Sequence, residues 1–250
     1  MSGKNEFLIA LQFLTRLPVP EQTEHSDEAF ARSARFYPAV GLVVGAASAL
    51  VFFLGSDLVG ENVAALLALL SAILITGGLH EDGLADTADG LGGGRDREHA
   101  LTIMRDSSIG AYGVLALLFS QALVWSVLMA WPDWSICWAL IAAHGLSRSA
   151  ITEVIGRYEY ARKETVKFAR PTLNAEDLTF ARLWALGIGI VSILTIGFGA
   201  TLCGFLVAGL FVSGLVQIFQ RKLGGYTGDC LGATQQVALI GFLIGALMWL

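Results

Sequence analysis

The chain has 250 residues, of which 55% are hydrophobic and only 15% charged, with 29 glycines and a mean hydropathy of +0.65. Soluble domains usually carry about 25% charge, so this composition points to an integral membrane protein and excludes a disordered or collagen-like chain. A net charge of -5 offers no basic field for phosphate backbones, which argues against nucleic acid as a partner.

The first apolar run, 7–14, is followed by Arg16-Leu-Pro18-Val-Pro20 where a signal peptide would present a small-residue cleavage site. At 1.5 Å per residue about twelve residues reach only ~18 Å, so a short interfacial helix is expected here. Uncharged runs near the length that crosses the hydrocarbon layer follow at 36–56, 63–79, 109–131, 134–146, 183–199, 201–220 and 231–250. The fourth reaches helix length if Arg148 lies at its end and snorkels to the interface. The stretch 183–220 is too long for one crossing and divides near the glycines of 197–204. With these spans all 16 Lys and Arg residues fall on one side, and the alternate short loops near Asp57, Asp133 and Gly199 have none. The positive-inside rule makes that side cytoplasmic. The expectation is an all-α, polytopic membrane bundle of about seven transmembrane helices, N-terminus in the cytoplasm, forming one domain over 1–250. Cys137, Cys203 and Cys230 form no CxxC and read as packing residues.

The densest acidic segment begins where the second run ends. If it is helical, Asp82, Asp86 and Asp89 stand at i, i+4 and i+7 and share one face. Like charges at this spacing repel, and the lower dielectric beside a membrane strengthens the repulsion, so a cation is expected among them. Hard carboxylate oxygens suit Mg²⁺ or Mn²⁺, and Mg²⁺ is usually held by one or two carboxylates together with substrate phosphates. A solvated acidic loop is the plain alternative, but Leu84, Ala85 and Ala88 fill the other positions and place the acids on a face. His80 borders this face and is a candidate proton shuttle or simply a hydrogen-bonded residue.

Glycines at 90, 92, 93 and 94 follow, either a flexible turn or an anion-binding nest of backbone amides. No Gly-Lys-Ser/Thr follows, so a nucleotide P-loop is not supported. Arg105 can grip phosphate oxygens bidentately, while Asp106 either completes a metal site or caps the next helix. In the last basic loop, Gly224-Gly-Tyr-Thr-Gly-Asp229 presents the Thr227 hydroxyl and the Asp229 carboxylate before the seventh run. His144 and Arg148 share a face of the fourth run that should look into the bundle.

The segments His80-Glu-Asp-Gly-Leu-Ala-Asp-Thr-Ala-Asp-Gly90, Met104-Arg-Asp-Ser-Ser-Ile-Gly-Ala-Tyr-Gly113 and Gly224-Gly-Tyr-Thr-Gly-Asp229 resemble the cobalamin synthase family, the adenosylcobinamide-GDP ribazoletransferases. Phe13-Leu-Thr-Arg-Leu-Pro-Val-Pro20 and Phe36-Tyr-Pro-Ala-Val-Gly41 extend the resemblance, so it runs from end to end. It implies a Mg²⁺-dependent, multi-pass enzyme of the bacterial cytoplasmic (inner) membrane with its active face in the cytoplasm. Such an enzyme joins α-ribazole or its 5′-phosphate to adenosylcobinamide-GDP and releases GMP in a late step of vitamin B12 synthesis. A complex with other enzymes of that pathway is a further expectation. The site residues expected are Asp82, Asp86 and Asp89 for metal, Asp89 before His80 as base, and Arg16, Arg105, Asp106, Thr227 and Asp229 toward substrate phosphates. Two departures stand out: Gln235 and Gln236 where an acid is expected in the last span, and Lys163 where a glycine is expected after Arg162. The rival readings are a CDP-alcohol-type phosphotransferase, which would have Arg where Asp86 stands, and a secondary transporter, which would carry its acids near the midplane in repeated halves.

Overall fold

The computed structural model describes residues 3–21, 23, 26–162 and 171–250, and these are helical apart from turns and one isolated β-bridge. Residues 163–170, part of the basic loop, lie outside the described residues. The expected short helix is α1 (Gly3–Leu14), followed by α2 (Asp27–Ser33), whose first turn is capped by the Ser26 hydroxyl accepting from the Ala29 N–H at 3.1 Å. A single 3₁₀ turn (Ala34–Phe36) leads into α3 (Tyr37–Val59), with Pro38 in the first turn, where a missing N–H costs nothing. Gly60 alone, at φ +81°, reverses the chain into α4 (Glu61–Thr76). Then come α5 (Leu79–Gly93), α6 (Arg97–Ile103), α7 (Ala111–Ala130), α8 (Ile136–Arg157), α9 (Ala175–Ile196), α10 (Phe198–Leu223) and α11 (Gly228–Leu247).

Five of these are long and apolar enough to cross a membrane unaided: α2–α3 as one continuous length, α7, α9, α10 and α11. A sixth crossing is counted if α4 and α5 are one broken span, bent by 89°. The remaining run of the seven is α8, which has the length, 22 residues, but carries His144, Arg148, Glu153 and Arg157. His144 and Arg148 are tolerated because that part of α8 is buried among its neighbours, Arg148 being among the largest fully buried side chains, while Glu153 and Arg157 lie on its more exposed last turns.

Close helix contact in a membrane rests on small residues, since lipid is as apolar as leucine. Gly41 and Gly45, four apart on α3, let its backbone lie against α8: a Cβ on Gly45 would sit 2.8 Å from the Ile141 Cα. Gly241 and Gly245 on α11 do the same against α10, where a Cβ on Gly241 would sit 2.8 Å from the Ala208 Cα. The outer helices α7, α9 and α10 present Leu118, Phe119, Leu194, Leu206 and Leu210 outward, as lipid-facing surfaces do. Cys137, Cys203 and Cys230 are free thiols.

Candidate active site

The site is made by a break in the chain. Gly77 and Gly78 both adopt left-handed φ (+67° and +73°), and the Gly78 N–H closes back on the Ile73 carbonyl at 2.9 Å, so α4 ends as an αL-capped helix. The chain turns through 89° into α5. At 15 residues, with Glu81, Asp82, Asp86 and Asp89 along it, α5 is too short and too charged to cross a membrane by itself. Gly83 seats α5 on the first turns of α11: a Cβ there would lie 2.8 Å from the Asp229 carbonyl oxygen and 3.1 Å from the Gly232 Cα. That approach brings carboxylates of two helices together.

A cavity of about 670 Å³ opens at the break. It is lined by Asp82 and Asp86 of α5, by Phe13 of α1 and Arg16 just after it, and by Ser107 and Ile109 from the α6–α7 connection. Arg16 is tied in by its own backbone, whose N–H donates to the Ile75 carbonyl at 2.7 Å, and its guanidinium lies so close over Gly77 that no side chain fits there. Beside the cavity Asp229 accepts from Arg162 Nη2 at 3.0 Å and from the Thr227 hydroxyl at 3.1 Å. Arg162 is placed by the bridge between Tyr160 and Tyr226, in which the Ala161 N–H donates to Tyr226 O (2.8 Å) and the Tyr226 N–H to Glu159 O (2.9 Å).

The structure thus gathers Arg16, Asp82 and Asp86 in one cavity with Asp229 at its side, and sets the other expected residues apart. Asp89 is buried, and its two oxygens accept the Gly110 and Gly113 N–H groups at 2.7 and 2.9 Å, capping α7. Asp106 is exposed on the α6–α7 connection, where hydrogen bonds from Ser108 hold its carboxyl below the usual range. Arg105 is exposed beside it and does not line the cavity. Thr227 is fully buried and caps α11, accepting from the Cys230 N–H at 3.3 Å. His80 points inward, not at the cavity. The glycines of 90–94 form no nest: all but Gly94 continue α5, none has a positive φ, and Gly92 and Gly94 instead admit Tyr112 and Ala100. The nearby cations have backbone partners, Arg97 Nε donating to Leu223 O at 2.8 Å and Lys222 Nζ to Leu91 O at 2.6 Å.

Behind the acidic face lies a buried polar layer that residue patterns alone do not reveal. Glu81 Oε1 accepts from Gln236 Nε2 at 2.8 Å, Gln235 Nε2 donates to the Ser147 hydroxyl at 3.0 Å, and Arg148 Nη1 donates to the His144 carbonyl at 3.1 Å. His80 Nε2, Glu81 Oε2, Arg148 Nε and Gln235 Oε1 have no hydrogen-bond partner among the described residues. The layer joins α5, α8 and α11, so the two glutamines standing where an acid was expected serve as donors to it. The clue available in the sequence was His144 and Arg148 on one face of an apolar helix.

At the cavity negative charge is in excess. Burial, then the neighbouring Asp82, Asp229 and Asp89 carboxylates, push the Asp86 carboxyl up to about 6. Among the described residues no group of three or more His, Cys, Asp or Glu side chains forms a preformed metal cage. Two carboxylates on one helical face, open to a cavity that Arg16 also lines, instead match the habit of Mg²⁺, which completes its shell with water and substrate phosphates. The residues present fit that ion.

Comparison with known proteins places this architecture. A family model described as cobalamin-5-phosphate synthase matches residues 6–247. The chain belongs to that family. It is 40% identical over 249 residues to the adenosylcobinamide-GDP ribazoletransferase of Shewanella amazonensis, covering 97% of this chain and 95% of that enzyme. Against the adenosylcobinamide-GDP ribazoletransferase of Bradyrhizobium diazoefficiens the identity is 43% over 240 residues, or 95% of this chain and 91% of the relative. No solved structure matches the chain.

Proposed function

We propose that the chain is an adenosylcobinamide-GDP ribazoletransferase of the cytoplasmic membrane whose reaction takes place in the cavity at the α4–α5 break. The observation that carries this is that Asp82, Asp86 and Arg16 line one cavity in a member of the cobalamin-5-phosphate synthase family. In the reaction a ribazole hydroxyl forms a new P–O bond to the corrinoid-bearing phosphorus of the GDP group. The bond from that phosphorus to the bridging oxygen breaks, GMP leaves with the electron pair, and the hydroxyl proton passes to a base.

Phosphoryl transfer asks the protein mainly for positioning and charge neutralisation. Asp82 and Asp86 would hold Mg²⁺, which when bound supplies charge neutralisation on the pyrophosphate. Arg16 clamps phosphate oxygens in the same cavity, and Arg162, already paired with Asp229, keeps that carboxylate from adding its full repulsion. Asp89 fixes the α7 N-terminus against α5; both its oxygens are engaged there, so it is a positioning residue. Arg105, Asp106 and His80 act from outside the cavity. The face carrying the basic residues is the cytoplasmic one, where both soluble substrates and any partner enzymes of the pathway are found.

The test is nucleotide release by the protein in nanodiscs, given adenosylcobinamide-GDP and α-ribazole 5′-phosphate, with Mg²⁺ or with EDTA. GMP with a cobalamin product, lost in EDTA, is expected. Absence of GMP from folded protein, or release of CMP from a CDP-alcohol in its place, would overturn the assignment.

A further inference from the structure

A second cavity, of about 470 Å³, lies on another side of the molecule and shares no lining residue with the first. It is a groove between α9 and α10, lined also by α8 and by Ala238 and Phe242 of α11. The two helices are joined at Gly197, and near that turn they touch, through Ser192 and Thr201 hydroxyls 3.0 Å apart and Gly189 against the Phe205 ring. Away from the turn they part, leaving Phe205, Ala208, Val212 and Phe242 as apolar walls.

Chemistry changes along this groove. Its deep part is apolar, while Glu153, Arg157, Arg182 and Gln217 line the other part. Arg182 grips Glu153 with two bonds, at 2.6 and 2.9 Å, and Arg157 Nη2 reaches the same carboxylate at 2.8 Å. Two guanidiniums therefore share one carboxylate, leaving a net positive charge and unused N–H donors at half-exposed positions. From Phe205 to Gln217 the α10 wall rises ~18 Å at 1.5 Å per residue, close to one leaflet of the ~30 Å hydrocarbon layer. The flanking surfaces, with Leu186, Leu206 and Leu210 exposed, face lipid.

We propose that this groove is a binding site for one anionic phospholipid, its phosphate on Arg157 and Arg182 and an acyl chain along Phe205, Val212 and Phe242. The leaflet-deep apolar wall selects a lipid over a free phosphate ion, and the guanidinium charge left over beyond the one shared carboxylate selects an anionic head group over a zwitterionic one. The site is separate from the acidic cavity and independent of the reaction assigned there.

The experiment is native mass spectrometry of the full chain, delipidated in maltoside and supplied with equal phosphatidylglycerol and phosphatidylcholine of the same acyl chains. One retained phosphatidylglycerol, preferred by about fivefold, is expected, because the one net guanidinium charge near an anionic head group is worth roughly a fivefold preference. Arg157→Gln with Arg182→Gln should remove the preference. Gly209→Phe should remove retention itself: a Cβ at Gly209 meets no atom within 4 Å, so the ring enters the groove without disturbing the helices. Both variants should release GMP at the unaltered rate, which also shows them folded. Equal retention of the two lipids, unchanged retention in both variants, or displacement of the lipid by millimolar inorganic phosphate would each overturn the proposal.

Discussion

Two acidic clusters sit at the same end of this bundle and behave oppositely. In the first, Glu6 of α1 and Asp177 of α9 are buried and matched by two arginines: Arg35 reaches Glu6 at 2.5 Å and Asp177 at 3.0 Å, and Arg32 lies 3.4 Å from Asp177. In the second, Asp82 and Asp86 line a cavity, Asp229 stands beside them, and the carboxylates outnumber the arginines that face them. Buried acids with full partners hold elements together, here the amphipathic N-terminal segment against α9. Partly exposed acids left in excess lack a counter-charge that a ligand must bring. The difference separates a structural cluster from a functional one without reference to the number of acids in either.

The sharpest way to break this comparison is to neutralise each cluster in turn. Asp82→Asn or Asp86→Asn should lower GMP release by at least about 100-fold, the scale of losing a transition-state charge partner, with the melting temperature in detergent unchanged or raised. Near-normal turnover in both would end the metal-site assignment. Arg35→Met should do the reverse, costing about 3 kcal/mol of stability by stranding buried Glu6 and Asp177, while turnover per folded molecule stays within a few-fold. A thermal melt paired with an activity assay on the surviving fraction checks this, and a dead but stable Arg35→Met protein would place the first cluster in the reaction.

Asp89 lies between the two classes and sharpens the line. Its oxygens cap α7, so Asp89→Asn should cost about 2 kcal/mol, the scale of a charged hydrogen bond, and lower turnover less than Asp82→Asn does. If Asp89→Asn is as inactive as Asp82→Asn and equally stable, Asp89 returns to the role of base or metal ligand. The smallest effect concerns pH. With the Asp86 carboxyl raised to about 6, protonation competes with Mg²⁺ below that pH, so the Mg²⁺ needed for half-maximal GMP release should rise as pH falls through about 6. The stability sign is opposite: folded Asp86 holds its proton more tightly than the unfolded chain does, so metal-free protein gains stability from this group as pH falls from about 6 toward the unfolded value, and loses that contribution above it. Activity profiles at low and high Mg²⁺, with melts in EDTA, test both signs, and profiles that coincide at the two Mg²⁺ levels would contradict the first.

Much of this arrangement was legible in the residues. Uncharged runs located the long helices, and the spacing of Asp82 and Asp86 put them on one face, where they lie. The run at 134–146 was legible as a helix with His144 and Arg148 facing the bundle, but Arg148 does not snorkel from its end: α8 runs on to Arg157 and Arg148 is fully buried within it. The break at Gly77-Gly78 was hidden by the apolar run before it; the glycine pair was the signal, and only a left-handed pair turns the acidic helix off the line of α4. Long-range partners were beyond any local pattern: Arg162 and Asp229 are 67 residues apart, and Glu81 and Gln236 are 155 apart. The capping role of Asp89 was hidden for the same reason, since its donors lie beyond a short helix and a loop. Spacing along one helix brought Asp82 and Asp86 to one cavity but left Asp89 capping α7, and of the single loop residues Thr227 caps α11 while Asp106 closes a local turn with Ser108.

The central claim is that the excess acids at the α4–α5 break take up a divalent ion together with the substrate pyrophosphate. Electron paramagnetic resonance of Mn²⁺ added to the nanodisc protein, with and without adenosylcobinamide-GDP, measures this directly. The account predicts tight Mn²⁺ uptake only when the substrate is present, weakened at least about tenfold by Asp82→Asn and by Asp86→Asn. Mn²⁺ uptake that is unchanged in both variants would contradict it.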